Sequence, residues 1–217
     1  MITIVKADGT AEQQQIAAMR ERAAKTGAGI EQSAREIMEA VRQRGYEAVR
    51  EYSLKFDGAE PYEISQSELQ AAAERIDPKL LAALRRSAEN IRAYQTELLC
   101  KSRQWESPMK GGTVGQIVRG LSRVGIYVPG GRAAYPSSVL MNAVPAKVAG
   151  CGEVIMVTPP TENLNDAVLA AAWVAQVDRV IAVGGVQAVA ALTYGADFIP
   201  RVDKLVGPGN AFVAAAK

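Results

Sequence analysis

The chain has no histidine among its 217 residues. That absence removes the usual general base near neutral pH and the usual zinc ligand together. Chemistry done by this chain has to use carboxylates, lysine or tyrosine, or groups from another chain segment. Cysteine is scarce: Cys100 and Cys151 lie far apart, without companion ligands. They form no disulfide framework and point to a reduced, cytoplasmic protein. Charge of one sign is missing as well. Lys and Arg number 25 against 23 Asp and Glu, a net charge of +2, and the basic residues are dispersed. That excludes the basic patch of a nucleic-acid-binding protein. No hydrophobic run is long enough for a membrane span, because residues 139–158 are interrupted by Pro145, Lys147 and Glu153. No secretory signal is visible, since Lys6 follows the short apolar start at once. The GxGxxG fingerprint of ordinary dinucleotide folds is also missing.

What is present is ample core material. Apolar residues make up 48%, enough for one large or two small domains. Residues 1–5 could form an edge strand. Residues 12–25 and 32–44 read as helices, the second with Ala34, Ile37, Met38 and Val41 at helical spacing. Gly45 ends or bends that helix, residues 46–56 resume, and Asp57-Gly58 turns the chain. Ser65 and Glu68 make a capping box for a helix ending near Ile76. Asp77-Pro78 opens a long helix reaching about Arg103, with Leu80, Leu84, Ser87, Ile91, Tyr94 and Leu98 on one face.

Beyond Pro108 the pattern changes. Residues 111–119 and 123–128 read as two strands joined by Gly120-Leu121-Ser122. Helices at 138–149, 165–176 and 186–194 then alternate with strands at 153–157, 179–183 and 204–206, and a last helix starts at Asn210. Ser137 and Ser138 stand where a helix cap is needed, and Pro145 bends or restarts that helix. Such alternation means a mostly parallel sheet covered by helices. The expected fold is α/β: a helical arm over residues 1–110, then a Rossmann-like sheet over 111–217 with helices on both faces. The last helix is barely two turns long and has no stop signal, so the chain reads as truncated and its sheet as incomplete at the C-terminus.

The stretch 123–142, RVGIYVPGGRAAYPSSVLMN, is the centre of the pattern. A buried strand runs into a Gly-rich loop and then a helix, which sets backbone N–H groups and a positive helix end beside a ligand. Gly184-Gly185 and Gly207-Pro208-Gly209-Asn210 repeat that order downstream. Ligands of open α/β sheets collect at the carboxyl ends of the strands, so the three loops could together hold a phosphate-bearing cofactor. Singly, each loop reads first as a tight turn. On the residues alone Tyr127 is a packing residue, Gln187 satisfies backbone groups in a first helical turn, and Asn210 is an N-cap. Arg132 and Arg201 could bind an anion or be solvated charges. Lys147, Lys204, Glu47 and Glu51 are spaced as surface charges, and Cys151 has no base to activate it.

Three segments carry a resemblance: VGIYVPGGRAAYPSSVLMNAVPAKVAGCGEVIMVTPP, VGGVQAVAALTYG and IPRVDKLVGPGNAFVAAAK. In this order they resemble histidinol dehydrogenase, from about Arg35 to Lys217 and over that family's N-terminal half only. The resemblance implies a cytoplasmic homodimer of histidine biosynthesis that oxidises L-histidinol to L-histidine with two NAD and depends on zinc. It implies NAD contacts at Tyr127, Gln187 and Asn210, which offer a stacking face and neutral hydrogen bonds. The family's zinc ligands, Glu-His acid/base pair and substrate residues follow the GPGN helix and have no counterpart here. No catalytic and no metal-binding residue is therefore assigned, and the 217-residue chain alone is expected to be inactive. The alternative is a non-catalytic folding or assembly unit. A phosphate-binding α/β enzyme of another family is the third reading.

Overall fold

The computed structural model describes residues 4, 5, 7–101, 104–130, 135–161 and 164–217, with residues 21–28 described by their backbone alone. The strand expected at 1–5, the expected helix end near Arg103, and Gly131 and Arg132 of the first Gly-rich loop lie wholly or partly outside those residues.

The two helices expected in the first forty-four residues are one, α1 (Ala11–Arg44). Gly45, at φ +60, ends it where its backbone suits only glycine, and α2 (Tyr46–Asp57) follows directly. A short strand not foreseen, β1 (Tyr62–Ile64), then joins the main sheet. Helix α3 (Gln66–Arg75) begins on Ser65, whose hydroxyl accepts from the Glu68 N–H at 3.2 Å. The reciprocal half of the box is not made, because Glu68 pairs with Arg75 at 2.6 Å instead. On α4 (Pro78–Lys101) the buried residues are Leu84 and Ala88, with Ile91 partly covered, whereas Leu80 and Tyr94 of the expected face are exposed.

The next pair of strands includes one not foreseen, at residues 105–109. β2 (Trp105–Met109) and β3 (Gly112–Gln116) form a separate antiparallel hairpin, exposed along its whole length. Residues 111–119 therefore do not pair with 123–128. Gly111 at φ +91 makes the tight turn that folds them back on β2, and Pro108 is tolerated because both strands are edges.

β4 (Arg123–Tyr127), β5 (Glu153–Thr158), β6 (Arg179–Ala182) and β7 (Lys204–Val206) are parallel, and β1 closes one edge antiparallel to β6. The order is β1-β6-β5-β4-β7. From β4 the chain steps outward through α5 (Pro136–Val148) and α6 (Asp166–Val174), then returns through α7 (Gly185–Tyr194) to lay β7 on the other side of β4. The last helix is α8 (Ala211–Ala216). In α5, Pro136 takes the first helical position and Tyr135 precedes it, so Ser137 and Ser138 lie inside the first turn and are not caps. The helix continues through Pro145 without a restart.

Strand side chains alternate between two cores. Val124, Ile126, Val154, Met156 and Val180 face α3, α4, α5 and α6. Tyr127, Ile155, Val157 and Ile181 face the other way, with α1, α2, α7 and α8 beyond them. The return to β7 reverses direction along the sheet and also changes face, as it must if every crossover keeps the same hand. Helices from before residue 110 thus cover both faces of the sheet.

Candidate functional site

With four strands parallel, the loops after Val128, Val183 and Val206 open at one edge of the sheet. The winding reverses between β4 and β7, so the crevice favoured by ligands in open α/β sheets lies beside Tyr127 and Gly207. The backbone there is close-packed. A Cβ on Gly207 would stand 2.2 Å from the Tyr127 carbonyl oxygen, and Gly207 has φ +107.

Tyr127 ends β4 on the α7 face and is 3% exposed. Its phenol reaches past β5 to the second loop, where the Gly185 N–H donates to its Oη at 3.1 Å. Burial pushes the phenol up, the Gly185 hydrogen bond opposes this, and the Asp57 charge adds to the rise. The Lys217 ammonium stands 5.6 Å from the ring centroid, so one face of the ring already carries a cation. Lys217 also donates to the Gly207 carbonyl, and burial lowers its pKa.

Gln187 sits in the first turn of α7 with no exposed surface. Its Nε2 donates to Asp57 Oδ2 at 3.1 Å. Its Oε1 has no partner; among the described residues the one other buried side-chain N or O atom without a partner is Ser53 Oγ, on α2 one turn before Asp57. Asn210 is exposed and caps α8, its Oδ1 accepting from the Val213 N–H at 3.0 Å.

Tyr127 and Gln187 are thus joined through the Gly184-Gly185 loop. The third loop reaches Tyr127 through Gly207, while the Asn210 side chain is turned to its own helix. Arg201 is exposed, and Arg123 Nη1 donates to its carbonyl at 3.0 Å, near the opposite end of β4. A cleft of about 480 Å³ between α1, α7, α8 and β7 is lined by Lys204, Arg201 and Lys217 among others, and by none of the three predicted contacts. Asp57 was missed in the sequence, where it reads as a turn residue before glycine; no local signal ties it to a partner 130 positions away.

Replacing Tyr127 by Phe keeps the ring and removes the acceptor of the Gly185 N–H. We expect Tyr127→Phe to lose about 1–3 kcal/mol, the usual penalty for an unsatisfied buried donor. Urea unfolding measures it, and an unchanged midpoint would mean that the hydroxyl bears no weight.

The residues fit the two implied cofactors unequally. Zinc does not fit: the sequence has no histidine, and among the described residues no group of three or more His, Cys, Asp or Glu could hold a metal. A dinucleotide fits in part, since the orphaned Gln187 Oε1 is an acceptor in want of a donor. Among the described residues no helix is long and apolar enough to cross a membrane.

Comparison with known proteins agrees with this architecture. The family model described as histidinol dehydrogenase matches residues 20–217. The histidinol dehydrogenase of Cupriavidus pinatubonensis is 54% identical over 197 residues, 87% of this chain and 44% of that protein. That of Burkholderia lata is 48% identical across 100% of this chain and 52% of its own length. The crystal structure of histidinol dehydrogenase from Elizabethkingia anophelis superposes with a TM-score of 0.79 at 32% identity, over 86% of this chain and 44% of that one. The chain spans about half the length of the curated relatives it matches. A family match over most of the chain and a shared fold with a solved member lead to one conclusion: this chain belongs to the histidinol dehydrogenase family of oxidoreductases.

Proposed function

We propose that this chain is the NAD-side part of a zinc-dependent histidinol dehydrogenase, which oxidises L-histidinol to L-histidine with two NAD in histidine biosynthesis. The whole enzyme is proposed to be a cytoplasmic homodimer. Tyr127, Gln187 and Asn210 are the proposed cofactor contacts. The supporting observation is that the loops bearing them share one sheet edge, with Gly185 and Gly207 both packed on Tyr127. NAD supplies the hydride acceptor when bound. The chain's own part is to orient it: the orphaned Gln187 Oε1 can accept from a ligand N–H or O–H, and the closely packed loops exclude water from that corner. Residues 1–110 and 111–217 are proposed as a functional division, the first a dimer-forming cover and the second a Rossmann-like floor for the cofactor.

With no histidine and no metal-ligating cluster among the described residues, the 217-residue chain is proposed to turn nothing over by itself. The test mixes it with the C-terminal part of the Cupriavidus pinatubonensis relative, with zinc, L-histidinol and NAD. Histidinol-dependent NADH is expected from the mixture and none from the chain plus zinc. A silent mixture overturns the enzyme assignment; NADH from the chain alone overturns its inactivity.

A second reading has its own support: Tyr127 and Gln187 are buried and Asn210 is engaged as a cap, as in a folded α/β unit with little ligand affinity. Calorimetric titration with NAD separates the two, because saturable binding counts against the second.

A further inference from the structure

The N-terminus of α7 looks at first like a phosphate site. It follows a parallel strand, begins with two glycines, and brings free amides and a positive helix end to the carboxyl edge of the sheet. The first amide of the helix, however, is already engaged. The Gly185 N–H donates to Tyr127 Oη at 3.1 Å. The Asp57 carboxylate accepts from Gln187 Nε2 at 3.1 Å, and the nearby Gly184 amide holds its pKa down. Protein atoms also crowd both glycines: a Cβ on Gly184 would lie 2.6 Å from the Pro159 ring, and one on Gly185 2.5 Å from Gln187 Oε1.

Asp57 is the last residue of α2. A carboxylate at a helix C-terminus is poorly placed for its own helix, whose end is already negative. Burial works against it as well and pushes its pKa up, and only the Gly184 amide and the Gln187 side chain oppose that rise. The gain lies on α7, whose positive end receives a tethered anion. The fully buried, unpartnered Gln187 Oε1 points into the same loop and adds a second partial negative charge beside it.

We propose that Asp57 is a specificity-determining residue: its carboxylate occupies the N-terminus of α7 in place of a phosphate, and so excludes phosphate groups from that loop. The corner is left to an uncharged, hydrogen-bond-donating part of a ligand. This goes beyond the assignment of NAD, because it denies the pyrophosphate of any dinucleotide the position that the glycines advertise.

The probe is inorganic pyrophosphate, read through the amide resonances of Gly184 and Gly185 in the isotope-labelled chain. In the native chain these resonances are expected to stay in place up to millimolar pyrophosphate, and in Asp57→Ala to move saturably. Saturable movement in the native chain overturns the proposal, as does equal silence in the variant. If Asp57→Ala does not fold, Asp57→Asn, of the same shape without the charge, takes its place and has to respond more than the native chain; no difference overturns the proposal. NAD is absent from this experiment, so its outcome is independent of the calorimetric test above.

Discussion

Gly207→Ala is expected to destabilise the chain by between about 2 and 5 kcal/mol, the sum of a left-handed backbone penalty and an overpacking penalty. Gly207 has φ +107, and an added Cβ would stand 2.2 Å from the Tyr127 carbonyl oxygen and 3.0 Å from the Tyr127 nitrogen. Those are backbone atoms of the strand paired with β7, so no side chain can move to relieve the overlap. Relief has to come from separating the end of β7 from β4, which also loosens α8 and the Lys217 ammonium over the Tyr127 ring. Gly45→Ala is the control, because Gly45 has φ +60 and nothing within 4 Å of the added atom. It isolates the backbone penalty, about 1–2 kcal/mol. Urea unfolding of both variants and hydrogen exchange at Leu205 and Val206 give the measurement. Equal midpoints for the two would remove the close approach of β4 and β7 as a structural constraint.

The second large effect concerns the core. Ile155 on β5 is fully buried on the face shared with α7, and Leu140 on α5 is 1% exposed on the opposite face. Ile155→Ala and Leu140→Ala should each lose about 2–5 kcal/mol, the range for large-to-small changes in a tight core. Both losses should appear in a single transition, with circular dichroism and the fluorescence of half-buried Trp173 coinciding. The reason is that α1 and α2 close one face and α3 and α4 the other, so residues before 110 share each core with residues after it. A helical signal that outlasts the tryptophan transition would instead make residues 1–110 a separate folding unit. The proposed division of labour at that point would then also be a division of stability.

Much of the local structure was legible in the sequence. The parallel alternation after residue 123, the Asn210 cap and the Ser65 cap follow from short-range patterns, and the structure has each of them. The misses share a cause. β1 is three residues long and is held by β6, more than a hundred positions later. β2 pairs with β3 across a tight turn at Gly111, so Pro108 is an edge-strand residue and not the point where strand structure begins. Periodicity marks a face of α4 but not how much of it is covered, because it gives the spacing of apolar residues and not where the covering helix stops.

Of the candidate site, the residue types and the three Gly-rich loops were present in the one-dimensional pattern. Their common edge followed once the strands were read as parallel. The partners were not legible. Tyr127 could as well have packed blindly, and nothing near Asp57 announces Gln187. The local periods of helix and strand are written in neighbouring residues, because backbone hydrogen bonds and side-chain alternation act over a few positions. Only the packing of α2 on α7 brought a carboxylate to a helix end 130 residues away, because burying the apolar faces of both helices sets their polar ends side by side.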